Sequence, residues 1–161
     1  MSNASPRRSA QLIFEPGRMI VGNAGVLVSR VIYDKEGSAR RFLIIDAAMN
    51  DLIRPALYDA HHTVIPVDES EADAVSVAYD VVGPVRHPLS TVSGATARCR
   101  RAGAGKLCRA LTAGADGAQA SQYNTRPLIP EVLVNGARYA VIRRRPTFEE
   151  MTALEEKPDW L

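Results

Sequence analysis

Two short blocks hold the residues that could do chemistry. Glu15-Pro16-Gly17-Arg18 sets a carboxylate and a guanidinium on a Pro-Gly turn. Asp46–Tyr58 carries Arg54 and Tyr58 at i and i+4, so one helical face can present both. Arginine pairs bidentately with carboxylate or phosphate. Two guanidiniums and a phenol on turns that flank apolar strands therefore form a grip for an anionic ligand. Periodicity alone favours blander roles: Arg54 on the surface, Tyr58 in the core, and Glu15 bracing its own turn. Covalent chemistry has few candidates. Of the three lysines, Lys35 lies in a polar turn, Lys106 in an anomalous window and Lys157 in the tail. None ends an apolar strand, where a rigid scaffold would aim its amine. No catalytic residue is expected.

The elements that must position these groups read mostly as β. Gln11–Phe14 is a short apolar strand running into the first turn, and Met19–Tyr33 is a β-rich run broken by Gly22 and Gly25. Asp34–Gly37 is a polar turn and Arg40–Asp46 the returning strand. Asn50 or Asp51 can cap a short helix through Tyr58, which Pro55 limits by lacking an amide hydrogen. Thr63–Val67 and Ala74–Gly83 are further strands. Val132–Val134 and Tyr139–Ile142 flank Asn135-Gly136, which predicts a hairpin with a type I′ turn. Thr147-Phe148-Glu149-Glu150 is a capping box opening a helix to about Leu154 that buries Phe148 and Met151.

The chain of 161 residues suffices for one domain with a core. Its +2 net charge is misleading. Arg86–Leu111 takes six of the 20 Lys/Arg and none of the 18 acids, leaving 14 basic against 18 acidic groups elsewhere. That window contains no aromatic residue, so a nucleic-acid surface is not expected. Apolar runs such as Val26–Val28 are too short for a membrane span. Met1–Arg8 lacks an apolar signal core, which points to the cytoplasm and to reduced thiols at Cys99 and Cys108. Those cysteines lack the neighbours of a zinc site, and His61-His62 point apart with no third ligand nearby, so no metal is expected. Tyr123, Asn124 and Arg126 brace the domain near the site, and Arg143-Arg144-Arg145 is a solvated strand end.

Both blocks resemble the carboxyl-terminal part of diaminopimelate decarboxylase, a pyridoxal-phosphate (PLP) enzyme of the fold family shared with ornithine and arginine decarboxylases. Gln122-Tyr123-Asn124-Thr125-Arg126-Pro127 and Val141–Thr147 extend the resemblance in the same order along the chain. It implies an antiparallel β-barrel domain with short helices over 19–161. It also implies that 1–18 is a remnant of the last strand of a TIM-like barrel that is otherwise absent. It further implies that Glu15, Gly17 and Arg18 lie beside the PLP phosphate, and that Arg18, Arg54 and Tyr58 meet the substrate, diaminopimelate. The partner would be a second copy in a homodimer or a barrel-bearing decarboxylase chain. The parent reaction is decarboxylation of meso-diaminopimelate to lysine.

Residues 86–117 break the pattern. Where relatives carry a Cys-Glu-x-Gly-Asp-like motif after Gly83-Pro84-Val85, this chain has Arg86-His87-Pro88. Where they carry Gly-Ala-Tyr-Gly, it has Gly114-Ala115-Asp116-Gly117. The abrupt loss and recovery imply a shifted reading frame, with a diverged surface loop as the alternative. Two functional expectations follow: a partial decarboxylase inactive by itself, or a non-catalytic β domain that binds or modulates a full-length decarboxylase. A pseudogene product without a stable fold is a third. Sequencing the coding DNA from upstream of codon 1 through codon 125 is expected to restore a Cys-Glu motif after Val85 and a tyrosine at position 116 in another frame. An unbroken frame with no better reading would refute the shift.

Overall fold

A computed structural model of the chain describes residues 11–68, 70, 77–85, 91–93 (backbone only) and 103–160. The long strand β1 (Leu27–Glu36) is written in its alternation: Leu27, Ser29 and Val31 are buried while Val28, Arg30 and Ile32 face outward. A polar turn at 37–40 returns the chain into β2 (Arg41–Ile45), antiparallel to β1 with Val31 opposite Ile45. β3 is Val64–Pro66 and β4 is Asp80–Val82. β4 runs parallel to β2, with Leu43 opposite Val81. β5 (Thr91–Ser93) pairs with β4, and β6 (Leu107–Ala110) inserts between β1 and β3. The six-stranded order is β3-β6-β1-β2-β4-β5. Leu27, Val31, Leu43, Ile45, Val81 and Cys108 form its core, closed by Leu52 and Tyr79. Tyr79 keeps its polar end satisfied by donating to Asp34 Oδ2 at 2.9 Å.

The mostly-β domain with short helices is as the sequence implies, with one parallel pair in an otherwise antiparallel sheet. Several local details differ. Gln11–Phe14 forms no strand; Leu12, Ile13 and Phe14 are exposed, and among the described residues no strand pairs with them. The start of the Met19 run is not β: α1 (Arg18–Val21) and a 3-10 turn (Gly22–Ala24) precede β1. β1 then continues through Asp34-Lys35-Glu36, because cross-strand pairing with Arg41, Phe42 and Leu43 outweighs the polar character of those residues. α2 (Arg54–Tyr58) starts late, without a side-chain cap, and places Pro55 in its first turn, where a missing amide hydrogen costs nothing.

The segment 103–111 is no surface loop. β6 lies inside the sheet and buries Cys108 and Ala110. Its four residues are too few to display a period, and its inward pair is a cysteine and an alanine. Arg86, His87, Pro88, Cys99 and 74–76 lie outside the described residues.

β7 (Glu131–Asn135) and β8 (Arg138–Arg143) form the expected hairpin as a separate two-stranded sheet. Asn135 pairs with Arg138, so Gly136 and Ala137 are the central turn residues. Only Gly136 has a positive φ (59°), the pattern of a II′ turn rather than I′. Arg143 moors the hairpin: its guanidinium lies 2.9 Å from Glu131 Oε1 and donates to the carbonyls of Gly117 and Ile129. α3 (Phe148–Thr152) has both arms of the capping box, and Arg144 pairs with Glu150. Phe148 is exposed, since a five-residue helix at the domain's rim meets no second apolar layer.

The backbone between β6 and the hairpin packs against the turn after α1 with no room for side chains. The amides of Ala113 and Gly114 donate to the carbonyls of Gly25 (2.9 Å) and Gly22 (3.0 Å). A Cβ on Gly25 would sit 2.6 Å from the Gly114 Cα, and one on Gly114 would run into the Val21 carbonyl oxygen. Gly114→Ala is therefore expected to destabilise the chain by about 1–3 kcal/mol. Gly103→Ala, whose Cβ meets nothing within 4 Å, should change stability by less than about 0.5 kcal/mol. Urea midpoints of the two variants check the contrast.

Candidate functional site

The two chemistry-bearing blocks meet on one strip of chain, residues 111–117. Leaving β6, this strip is tied to β3 by the Leu111 amide, which donates to the Thr63 carbonyl at 2.9 Å. Thr112 takes a left-handed conformation (φ 60°) that turns its hydroxyl toward α1. There Arg18, at the first position of α1, donates from its guanidinium to Thr112 Oγ1 at 2.6 Å. Arg18, Met19, Gly22, Asn23 and Thr112 line an open cavity of about 290 Å³.

Four residues on, Asp116 is 2% exposed, and its Oδ1 lies 3.3 Å from Nε of Arg54. The two meet at ion-pair distance without the alignment of a hydrogen bond, and neither Asp116 oxygen has a hydrogen-bond partner. Burial pushes the Asp116 carboxyl above its ordinary value; His62, Arg54 and Arg18 pull against that shift without cancelling it. His62 is fully buried. Its Nδ1 lies 3.0 Å from the Leu111 carbonyl oxygen, which can only accept, so Nδ1 carries the proton. Nε2 is buried without a hydrogen-bond partner. Arg54 also stands 5.9 Å from the centroid of the Tyr58 ring, so the i, i+4 pair shares one helical face. Tyr58 is 62% exposed and Arg54 mostly covered, the reverse of a surface arginine beside a core aromatic.

Behind this cluster the Asp46–Asp51 turn is held rigidly. Asp46 Oδ1 accepts from the Ser29 hydroxyl at 2.6 Å and from the Arg30 amide at 2.8 Å. Burial raises its affinity for a proton, yet Ser29 and Arg30 together hold its carboxyl below the ordinary value. Asp51 caps the turn by accepting from the Ala48 amide at 2.8 Å. Burial is the largest influence on its carboxyl, which sits above the ordinary value. Asn50 donates to the Ser121 carbonyl, and Arg126 donates to the Asp46 carbonyl and lies 3.7 Å from Asp51. The Asn50 and Asp51 side chains thus hold the turn that leads into α2 rather than capping the helix itself. Arg126 braces this turn; Tyr123 is exposed.

Arg18 and Arg54 are therefore gathered around 111–117, with Tyr58 beside Arg54, while Glu15 and Gly17 lie in the exposed stretch leading into α1, where Gly17 is the N-cap. Sequence reasoning gave Thr112 no role, weighed His62 only as a metal ligand, and marked Asp116 only as a break in the family pattern. His62 continues the inward alternation of Val64 and Pro66, a signal the adjacent His61 obscured. No local pattern shows that Asp116 is buried against Arg54. Among the described residues no group of three His, Cys, Asp or Glu could hold a metal ion, and no helix is long and apolar enough to cross a membrane.

Comparison with known proteins matches residues 18–100 to the C-terminal sheet domain of pyridoxal-dependent decarboxylases. The diaminopimelate decarboxylase of Zymomonas mobilis is 46% identical over 157 residues, covering 95% of this chain and 36% of that protein. The chain thus spans about a third of the length of the curated relatives it matches. Among solved structures, diaminopimelate decarboxylase from M. jannaschii superposes with a TM-score of 0.80 at 30% identity, over 91% of this chain and 33% of that one. The Helicobacter pylori enzyme complexed with L-lysine superposes with a TM-score of 0.73 at 35% identity, over 88% of this chain and 34% of that one.

The Asp116 carboxyl, raised in the fold, contributes stability that is complete below its unfolded value of 3.8 and is lost as pH rises through the folded value. The wild-type chain should therefore gain stability relative to Asp116→Asn as pH falls from neutrality. Urea denaturation of both across that range measures it, and parallel pH profiles would contradict it.

Proposed function

The chain belongs to the pyridoxal-dependent decarboxylases through their C-terminal sheet domain, and from that premise we propose that it is the carboxyl-terminal part of a diaminopimelate decarboxylase that holds part of the substrate grip and performs no decarboxylation by itself. One observation carries the reading: Arg18 and Arg54, from two separate blocks, converge on the same strip, 111–117. Arg54 with Tyr58 would take a carboxylate of diaminopimelate, a role suited to a guanidinium at the start of α2. Arg18, beside Gly17 and Glu15, would take the PLP phosphate.

The fit to PLP is one-sided. The cavity at Arg18 offers a guanidinium, the Asn23 amide and the Thr112 hydroxyl, which suit a phosphate. A lysine to hold the aldehyde is missing from its lining, and Lys35 lies on β1, Lys106 ahead of β6 and Lys157 beyond α3. PLP supplies an electron sink when bound, but no step of that chemistry is derived from these residues. Their part is binding and orientation. A second copy, or a chain bearing the barrel and its lysine, would complete the site, and the cytoplasm is the compartment proposed for it.

A second reading rests on the β7-β8 hairpin, which exposes Leu133, Val134, Tyr139 and Ile142. Both faces of a two-stranded sheet carrying this much apolar surface favour association, as in a non-catalytic domain that docks on a full-length decarboxylase. Chromatography of the chain with such an enzyme distinguishes this reading: co-elution supports it, and independent elution opposes it.

For the first reading, the purified chain is incubated with PLP and meso-diaminopimelate. No carbon dioxide release is expected, and robust turnover would overturn the proposal. Arg54→Met should weaken diaminopimelate binding by about 10–100-fold, the range for losing a charge-assisted contact. Unchanged affinity by calorimetry would remove Arg54 from the grip.

A further inference from the structure

We propose that Asp116 is an internal carboxylate that occupies the ligand position of Arg54, so that an external carboxylate reaches this guanidinium only by displacing it. The inference rests on the reading of Arg54 as a carboxylate grip. Asp116 is 2% exposed, and its Oδ1 lies 3.3 Å from the Arg54 Nε, as a carboxylate ligand of that guanidinium would. It is held by charge alone, because neither of its oxygens accepts a hydrogen bond. Arg54, Arg18 on α1 and His62 on the approach to β3 all favour its charged form.

The contact is strong enough to compete and poor enough to be displaced. A buried carboxylate beside a guanidinium is attracted over a short distance in a low dielectric. A misaligned pair forfeits the paired hydrogen bonds that a fork-to-fork carboxylate would make. A ligand that aligned both oxygens on Arg54 would gain those bonds, at the cost of moving Asp116. The strip that carries Asp116 is anchored upstream by Gly114 on Gly22 and downstream by the Gly117 carbonyl on Arg143. Displacement is therefore a rotation of one side chain between two fixed points. Protonation of Asp116 would act in the same direction by removing the charge that holds Arg54.

The test is a titration of the full chain with glutarate at neutral pH, followed at the Arg54 Nε–H resonance. In Asp116→Asn the midpoint is expected at about tenfold lower glutarate than in wild type, within the usual range of coupling between two competing sites. Equal midpoints, or no response of Arg54 in either form, would overturn the proposal. A higher midpoint in the variant would also overturn it, by making Asp116 a contact of the ligand rather than its competitor. Should Asp116→Asn fail to fold, the wild-type chain decides. Saturating glutarate parts Arg54 from Asp116, so the Asp116 carboxyl-carbon titration must shift from its ligand-free midpoint; an unmoved titration refutes the displacement. Meso-diaminopimelate is titrated in parallel. If glutarate follows the pattern and diaminopimelate does not bind, the internal carboxylate stands and the substrate assignment falls.

Discussion

Everything at the site depends on the insertion of β6 between β1 and β3. Its four residues bond to β1 on one side and to β3 on the other. That fixes where the chain emerges at Leu111, and hence where the strip 111–117 must run. The strip then closes against the turn after α1 through Ala113 and Gly114, at a separation that only glycine permits at Gly25 and Gly114. Arg18 and Arg54 are far apart in sequence and on different elements. They converge only because this strip passes both.

The site is assembled in two tiers of unequal polarity satisfaction. The supporting tier, with Asp46, Asp51, Asn50, Ser29 and Arg126, is joined by many hydrogen bonds, although Asn50 Oδ1 and Arg126 Nε are buried without a partner. Buried polar groups that are satisfied in this way hold a single geometry. The facing tier, with Asp116, the Arg54 Nε and the His62 Nε2, is buried with its hydrogen-bonding capacity unused. Unsatisfied groups of this kind cost stability and are the ones a ligand can reward.

Sequence reading performed unevenly for reasons visible in the elements. β1, β2 and the β7-β8 hairpin were legible because alternation or a Gly-containing turn is written locally. The α3 capping box was legible because both of its partners lie within four residues. Gln11–Phe14 was misjudged because a strand needs a partner, and pairing is not a local property. Phe148 was expected inside because helical periodicity names an apolar face without saying whether anything covers it. β6 was missed because a four-residue strand with Cys108 and Ala110 inside has neither length nor bulk to show a pattern.

By itself the sequence determined the β-rich class, the two arginine-bearing blocks and the pairing of Arg54 with Tyr58 on one helical face. Each is a matter of residue type and short spacing, which local backbone geometry converts directly into structure. The tertiary structure alone decided that Arg18 and Arg54 serve one strip, that His62 is buried, and that a carboxylate of the chain's own, Asp116, lies on Arg54. Those are contacts between residues as many as 94 positions apart. They follow from the order of strands in a sheet, which no local pattern encodes.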